Sequence, residues 1–313
     1  MEIYELNYPD HVSIDKEGQY SLAIGFFDGL HKGHQTVIQK AIDKARELEI
    51  QSAVMTFNPH PSHVLGDGKN KVGYITPFEE KATVLRSLGV DVLFVVKFDK
   101  ALASLSPEQF VEVFIKKLGV KHVTAGFDYS FGAKGAGTMH DMERLSNDMY
   151  ETTIVGKVID QEDKVSSTRI RILLSEGKVE KAAILLGRNF RTIGTVVHGE
   201  KNGRKLGFPT ANILPPEDSI LPLNGVYAVQ IMIDGKKYDG VCNVGVKPTF
   251  EKGQQQTTVE VHILDFEEDI YGKAVAVEWI YFIRPEKKFD SFTALIEQIS
   301  RDKERAKEML LER

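Results

Sequence analysis

Gly25-Phe26-Phe27-Asp28-Gly29-Leu30-His31-Lys32-Gly33-His34 joins a short apolar run at residues 22–26 to an amphipathic stretch at residues 35–48. The run has the length of a strand, and the stretch places its apolar residues at helical spacing. A strand that turns through glycines directly into a helix is the opening unit of a parallel sheet covered by helices. The helix start supplies unpaired amides and the positive end of a dipole, which together receive phosphate. His31 and His34, three apart at that point, can both face a triphosphate and donate hydrogen bonds to the charge that builds when its α-phosphate is attacked. They can equally be turn and cap residues. A zinc site would need third and fourth ligands that are not evident.

The same rhythm continues outward. Residues 52–57, 92–98 and 122–126 read as further strands, with helices predicted over 77–88 and 107–118. Both helices open on Thr or Ser followed by Pro, with Glu next in the first turn (Glu79 and Glu108), a capping residue with proline in the first turn. The expected fold of this half is therefore α/β, a Rossmann-like parallel sheet with helices on both faces. Ligands bind such sheets beyond the carboxyl ends of the strands, here after Ile24, Met55 and Ala125. Residues 132–138, Gly-Ala-Lys-Gly-Ala-Gly-Thr, suggest a phosphate loop but lack the lysine after the last glycine, so a flexible loop is expected there.

After about Gly187 the period changes. Residues 192–197, 226–233, 237–246, 257–264 and 274–283 are strand-like, and Asp234-Gly235 is a hairpin turn signal. An antiparallel barrel or sandwich is expected, closed by a helix over 291–311. On that helix Phe292, Leu295, Ile296 and Ile299 form a stripe read as core packing. The boundary between halves is expected at 184–190, giving domains 1–186 and 187–313.

Composition agrees with two soluble domains: 313 residues, 42% hydrophobic and 27% charged. Forty basic and 45 acidic residues leave a net charge of −5, which argues against nucleic acid as the main partner. A single cysteine, Cys242, excludes an intrachain disulfide, and its strand context favours a buried inert thiol over a nucleophile. The N-terminus shows no basic segment followed by an apolar core, and no apolar run approaches the roughly 18 residues of a membrane helix. A cytoplasmic location is expected.

The ten opening residues resemble the Gly-x-Phe-Asp-Gly-x-His-x-Gly-His signature of nucleotidylyltransferases, in the branch of bacterial FAD synthetases. Three later segments match that branch in order: Thr56-Phe57-Asn58-Pro59-His60-Pro61, Gly126-Phe127-Asp128-Tyr129-Ser130-Phe131-Gly132 and Ser166-Ser167-Thr168-Arg169-Ile170-Arg171. The resemblance implies that His31 and His34 polarise ATP phosphates, with Gly25, Asp28 and Gly33 of the signature around them. It implies that Asn58 and Asp128 help to hold nucleotide and flavin, and that Ser167, Thr168 and Arg169 grip phosphate. The last assignment has a physical rationale, since Ser-Ser-Thr suits a helix start and arginine binds phosphate in bidentate fashion; an ordinary helix cap is the alternative. Many members carry asparagine where this chain has Phe26 and Asp128.

In the second half, Thr210 and Asn212 are two apart, so in an extended chain they point the same way. A hydroxyl and an amide oxygen beside glycine-rich backbone can hold magnesium and bridging phosphates, or can belong to a proline-anchored turn entering a strand. In Val259-Glu260-Val261-His262-Ile263, Glu260 and His262 share the face opposite the valines. Glu260 either faces solvent there or lines a cavity as a general base. Gly207-Phe208-Pro209-Thr210-Ala211-Asn212, Gly225-Val226-Tyr227, Asn243–Phe250 and Val259–Phe266 with Tyr271-Gly272 together resemble riboflavin kinase. That resemblance implies magnesium–ATP at Thr210 and Asn212 beside Gly199 and Gly207, with Glu260 as the base. It also implies a six-stranded barrel with riboflavin between barrel and terminal helix. Both resemblances, in this order, are those of bacterial bifunctional riboflavin kinase/FAD synthetases. They imply ATP and Mg2+, with FMN and FAD as products, riboflavin, FMN and ATP as partners, and neither nucleic acid nor membrane; self-association stays open. A kinase with an inactive N-terminal domain and a non-catalytic flavin-sensing regulator are the alternatives.

Overall fold

The computed structural model describes residues 1–10, 12, 18–66, 72–160, 163–199, 202–248 and 255–312. Contacts divide the chain into two compact units, Met1–Ser166 and Ser167–Arg313.

The first unit is built on six parallel strands: β1 (Glu2–Leu6), β2 (Tyr20–Ile24), β3 (Gln51–Asn58), β4 (Val92–Lys97), β5 (Val120–Gly126) and β6 (Glu151–Val155), in spatial order β1-β4-β3-β2-β5-β6. Alternation along the strands feeds two cores. Leu22, Ile24, Met55, Phe94 and Val96 pack with Phe110, Phe114, Met139 and Met142 on one face. Ala23, Val54, Leu93 and Val95 pack on the other against Val37, Ile38, Ala41 and Ile42 of α1 (Lys32–Glu47) and Ala82 and Leu85 of α2 (Phe78–Ser87). Burial on both faces is what a parallel sheet demands. From β2 the chain builds first toward β4 and then, on the opposite side, β5 and β6. The reversal puts a ligand crevice at the carboxyl ends of β2 and β5.

Several local expectations are modified. The first predicted strand ends at Ile24 rather than 26, because Phe27 takes a left-handed φ of 52° and its ring turns into the core. The helix expected over 107–118 runs as α-helix through Pro107–Val111 and as a π turn through Glu112–Lys116. Ser106 caps it through a capping box with Gln109. Thr76 does not cap α2; Pro77 holds that position without a side-chain bond.

The second unit opens with helices α3 (Ser167–Ser175) and α4 (Val179–Leu186) and continues into a closed antiparallel barrel. Its strands are β7 (Phe190–Val197), β8 (Ala211–Leu214), β9 (Gly225–Ile233), β10 (Lys236–Pro248), β11 (Gln255–Ile263) and β12 (Ala274–Pro285), ordered β7-β8-β11-β10-β9-β12 with β12 returning to β7. Closure settles the barrel-or-sandwich choice and removes exposed edges. Val226, Ala228, Val244, Val259, Val261, Val277 and Trp279 are buried in this unit. The final helix, α5 (Phe292–Leu311), starts at Ser291, whose hydroxyl accepts from the Ala294 amide. Its expected core stripe does not form. Phe292 is 76% exposed, Leu295 and Ile299 line a cavity, and the buried residues of the helix are Asp302 and Ala306.

Candidate active sites

The signature loop occupies the crevice of the first unit. Phe27, Gly29 and Leu30 all have left-handed backbone, at φ 52°, 89° and 43°. Such geometry costs non-glycine residues of order 1 kcal/mol or more and persists where packing over-determines it. Here the buried side chains of Phe27 and Leu30 supply that packing. His31 then caps α1: its Nδ1 accepts the His34 amide at 3.2 Å. A ring nitrogen that accepts a backbone N–H carries no proton, so the ring proton of neutral His31 is on Nε2. The two imidazoles stack, 3.6 Å between centroids and 19° between planes. Gly33 permits this, since a Cβ there would stand 3.2 Å from the His31 ring. The cap reading and the phosphate reading of the histidine pair are thus compatible, because capping uses Nδ1 and leaves the Nε2–H as a donor.

Asp28 is only 4% exposed, and its carboxylate accepts the amides of Ile75 at 3.2 Å and Thr76 at 3.0 Å. It ties the segment before α2 to the loop. Gly25 lies against the Phe27 ring and donates its amide to Met55. The Phe26 carbonyl accepts from Thr56 Oγ1 at 2.9 Å and from Lys81 Nζ at 2.8 Å, and the ring of Phe26 meets His60 edge-on at 4.3 Å. Asn58, at the end of β3, and Asp128, just past β5, are both exposed at the same carboxyl edge of the sheet. Lys32 pairs with Asp160. Ser167, Thr168 and Arg169 form the first turn of α3, in the second compact unit. Lys81 escaped the sequence reading, because a lysine in a charged helical segment ordinarily faces water.

In the barrel, strand register does the assembling. Glu260 pairs with Asn212 on β8 and with Asn243 on β10, so three polar residues stand abreast on adjacent strands. Their neighbours Ala211, Ile213, Cys242, Val244, Val259 and Val261 are buried, which puts the polar row on the outer face of the barrel. Part of that face, at Glu260 and Asn243, is covered, although Asn243 itself remains exposed. It lines a cavity of about 340 Å³ whose other walls include Phe208, Thr210, Arg284 and, from α5, Leu295, Ile299 and Asp302. Glu260 therefore lines a cavity between barrel and helix rather than facing bulk water. Thr210 also lines a second cavity of about 330 Å³, with Arg204, Phe266, Glu268 and Tyr271. One hydroxyl thus stands at the wall of both spaces.

Glycines let the backbone come close here. A Cβ at Gly199 would overlap the Asn212 amide, and Gly207 turns at φ 85°. The Pro209 carbonyl accepts from His262 Nδ1 at 2.8 Å, which fixes the approach of the Pro-Thr-Ala-Asn segment. Across the cavity, Arg284 grips Asp302 of α5 with Nε at 3.0 and 3.1 Å and Nη2 at 2.7 Å, and Gln298 adds a bond at 2.8 Å. Sequence reasoning missed this clamp because its two halves lie on different elements. Thr249 and Phe250, part of one matched segment, lie outside the described residues. Among the described residues no cluster of three or more His, Cys, Asp or Glu side chains is arranged to hold a metal. The oxygens of Thr210 and Asn212 are hard donors that fit a magnesium ion sharing its shell with phosphates. No described helix is long and apolar enough to cross a membrane.

A family model described as FAD synthetase matches residues 13–169, and one described as riboflavin kinase matches residues 186–310. A bifunctional riboflavin kinase/FMN adenylyltransferase of Bacillus subtilis is 45% identical over 307 residues, 98% of this chain and 97% of that one. One of the same name from Listeria monocytogenes is 46% identical over 90% of each. A Streptococcus pneumoniae crystal structure titled a macrolide-efflux protein superposes with a TM-score of 0.88 at 34% identity, covering 98% of this chain and 99% of that one. With both family models matched in series along the chain and full-length relatives at this identity, the chain belongs to the family of bifunctional riboflavin kinase/FMN adenylyltransferases.

Proposed function

We propose that the chain converts riboflavin to FMN in the barrel and FMN to FAD at the signature loop, consuming one ATP at each step, with the division of labour at residues 1–186 and 187–313. The observation that carries the first half is the register row Asn212–Glu260–Asn243, of which Glu260 and Asn243 line a cavity with Thr210 on its wall. Riboflavin occupies the 340 Å³ cavity under α5, and ATP occupies the neighbouring one, so the ribityl end and the γ-phosphate meet near Thr210. The Glu260 carboxylate takes the proton of the terminal ribityl hydroxyl as its oxygen bonds to the γ-phosphorus and ADP leaves. Thr210 and Asn212 would hold Mg2+, which neutralises phosphate charge when bound. Gly199 and Gly207 bring backbone against the phosphates.

At the second site the attacking group is the FMN phosphate, already an anion near neutral pH, so no base is required. Its oxygen attacks the α-phosphorus of ATP and pyrophosphate departs. His31 and His34 donate to the charge that develops, within the cradle formed by Gly25, Gly33 and the start of α1. Asp28 serves by holding residues 75–76 rather than by touching phosphate. Asn58 and Asp128 border nucleotide and flavin. Ser167, Thr168 and Arg169 open α3 in the second unit, where a helix start and an arginine suit phosphate. The protein works in the cytoplasm, where ATP and flavin are available, and any self-association is between copies of this chain.

The test is chromatography of products from purified protein incubated with riboflavin, ATP and magnesium. FMN followed by FAD is expected. FMN alone would reduce the chain to a kinase, and neither product would overturn the reading.

A further inference from the structure

Lys81 is a charged side chain placed where no solvent reaches it. It is 4% exposed, and its ammonium donates to the Phe26 carbonyl at 2.8 Å and to Thr56 Oγ1 at 3.1 Å. It also lies 4.7 Å from the centroid of the Phe26 ring. Both hydrogen-bond partners are neutral. A neutral donor would satisfy them without the desolvation cost of a buried cation, so hydrogen bonding alone does not account for the charge. The residue lies beneath the signature loop, at the carboxyl edge of β2 and β3, where the loop presents His31 and the start of α1. What that edge receives, on the assignment above, is a triphosphate carrying several negative charges.

We infer that Lys81 is a positioning residue for adenylyl transfer, its buried ammonium holding the Phe26 carbonyl and charging the floor of the nucleotide site. The inference rests on the assignment of this site to FMN adenylylation. It explains why Phe26 need not contribute a polar side chain: its carbonyl is the anchored group, and its ring shields the cation from water.

The surroundings set how the cation titrates. Burial pulls its pKa down to about 8, and the Asp28 carboxylate opposes the fall. Asp28 belongs to the signature loop and is itself occupied by the amides of Ile75 and Thr76. Glu80, buried, precedes Lys81 on α2. His60 meets the Phe26 ring edge-on, Tyr74 stacks at 6.3 Å from it, and His63 packs on Tyr74. For a lysine with a depressed folded value, the free enzyme loses the charge as pH rises through about 8, whereas an unfolded lysine keeps it to above 10. Bound triphosphate stabilises the cation and moves its titration upward.

The test is the pH dependence of FAD formation from FMN and MgATP, from pH 6.5 to 10, for the full chain, Lys81→Arg and Lys81→Met. In the unaltered protein kcat/KM for ATP should fall about tenfold per pH unit above roughly 8, while kcat holds to higher pH. Lys81→Arg, whose charge does not titrate in this range, should lose that alkaline limb. Lys81→Met, similar in volume, should lose about tenfold or more in kcat/KM at pH 7, chiefly through KM, and show no limb. Thermal unfolding at pH 7 checks that this variant keeps its fold. An alkaline limb that persists unchanged in Lys81→Met overturns the inference, as does a Lys81→Met variant with unaltered KM. If the unaltered protein makes no FAD at any pH, the assignment of the site fails instead, and the two failures are thereby distinguishable.

Discussion

On the assignment proposed above, the signature loop and the barrel cavity handle the same donor, ATP, with different materials. At the loop the groups proposed to bind phosphate are largely backbone: the start of α1, the glycines, and a loop bent through three left-handed residues. Its one carboxylate, Asp28, is buried and committed to two amides. In the barrel the working groups are side chains, aligned by register on three strands, and a carboxylate stands in the row. The difference follows from the nucleophile. An FMN phosphate arrives ionised and needs only placement and a stabilised leaving charge, whereas a ribityl hydroxyl must lose a proton as it attacks. A base belongs in one site and would add unwelcome negative charge to the other.

The sharpest way to break this comparison is Glu260→Gln. FMN formation should fall about a thousandfold, within the range for loss of a general base, while FAD formation from supplied FMN is unchanged. Equal loss in both reactions, followed by product chromatography, would refute two independent sites. Next in size is His34→Ala, which should reduce FMN-to-FAD conversion about a hundredfold and spare riboflavin phosphorylation. His31→Ala should match it and also cost about 1 kcal/mol of stability, because it removes the helix cap. Thermal unfolding of the two variants separates the cap from the chemistry.

A smaller effect sharpens the role of the roof over the barrel cavity. Asp302→Asn weakens the clamp to Arg284, and the riboflavin KM should rise about tenfold, equivalent to roughly 1.4 kcal/mol, with FAD formation from FMN unaltered. An unchanged KM would mean that α5 is held by its apolar contacts alone. The least effect on turnover is expected at His122. It sits between Ser21 Oγ at 3.0 Å and Thr153 Oγ1 at 2.9 Å, and burial, helped by Lys44, lowers its pKa to about 4. Between pH 6.5 and 4 the unfolded chain therefore takes up a proton that the folded chain refuses, so stability falls as pH falls through that window. His122→Gln should flatten the loss, about 2 kcal/mol, in urea unfolding followed across pH. An unaltered slope would place the acid sensitivity elsewhere.

Much of both sites was legible because their residues are close along the chain. Two histidines three apart at a helix start, a Thr-x-Asn pair entering a strand, and a Glu in strict alternation each need only local geometry to be placed. The less legible parts are long-range. β1 and β6 are sheet-edge strands of five residues, and β8 has only four, too short for alternation to declare itself. The α5 stripe was misread because helical spacing shows that residues share a face but not what covers that face. Lys81 was missed for a related reason: nothing in Glu79-Glu80-Lys81 distinguishes an ammonium in water from one held beneath a loop.

Period, capping and φ preference act within a few residues, so the two rhythms, the turn chemistry, the start of α1 and the candidate reactive groups were readable along the chain. That Glu260 lines a cavity, that Asp28 is a tether, that Arg284 reaches Asp302 and that Lys81 is buried against Phe26 came instead from the packing. Each of these depends on which strand lies beside which and on what removes water from the contact, and both are set by the packing of segments distant in the chain.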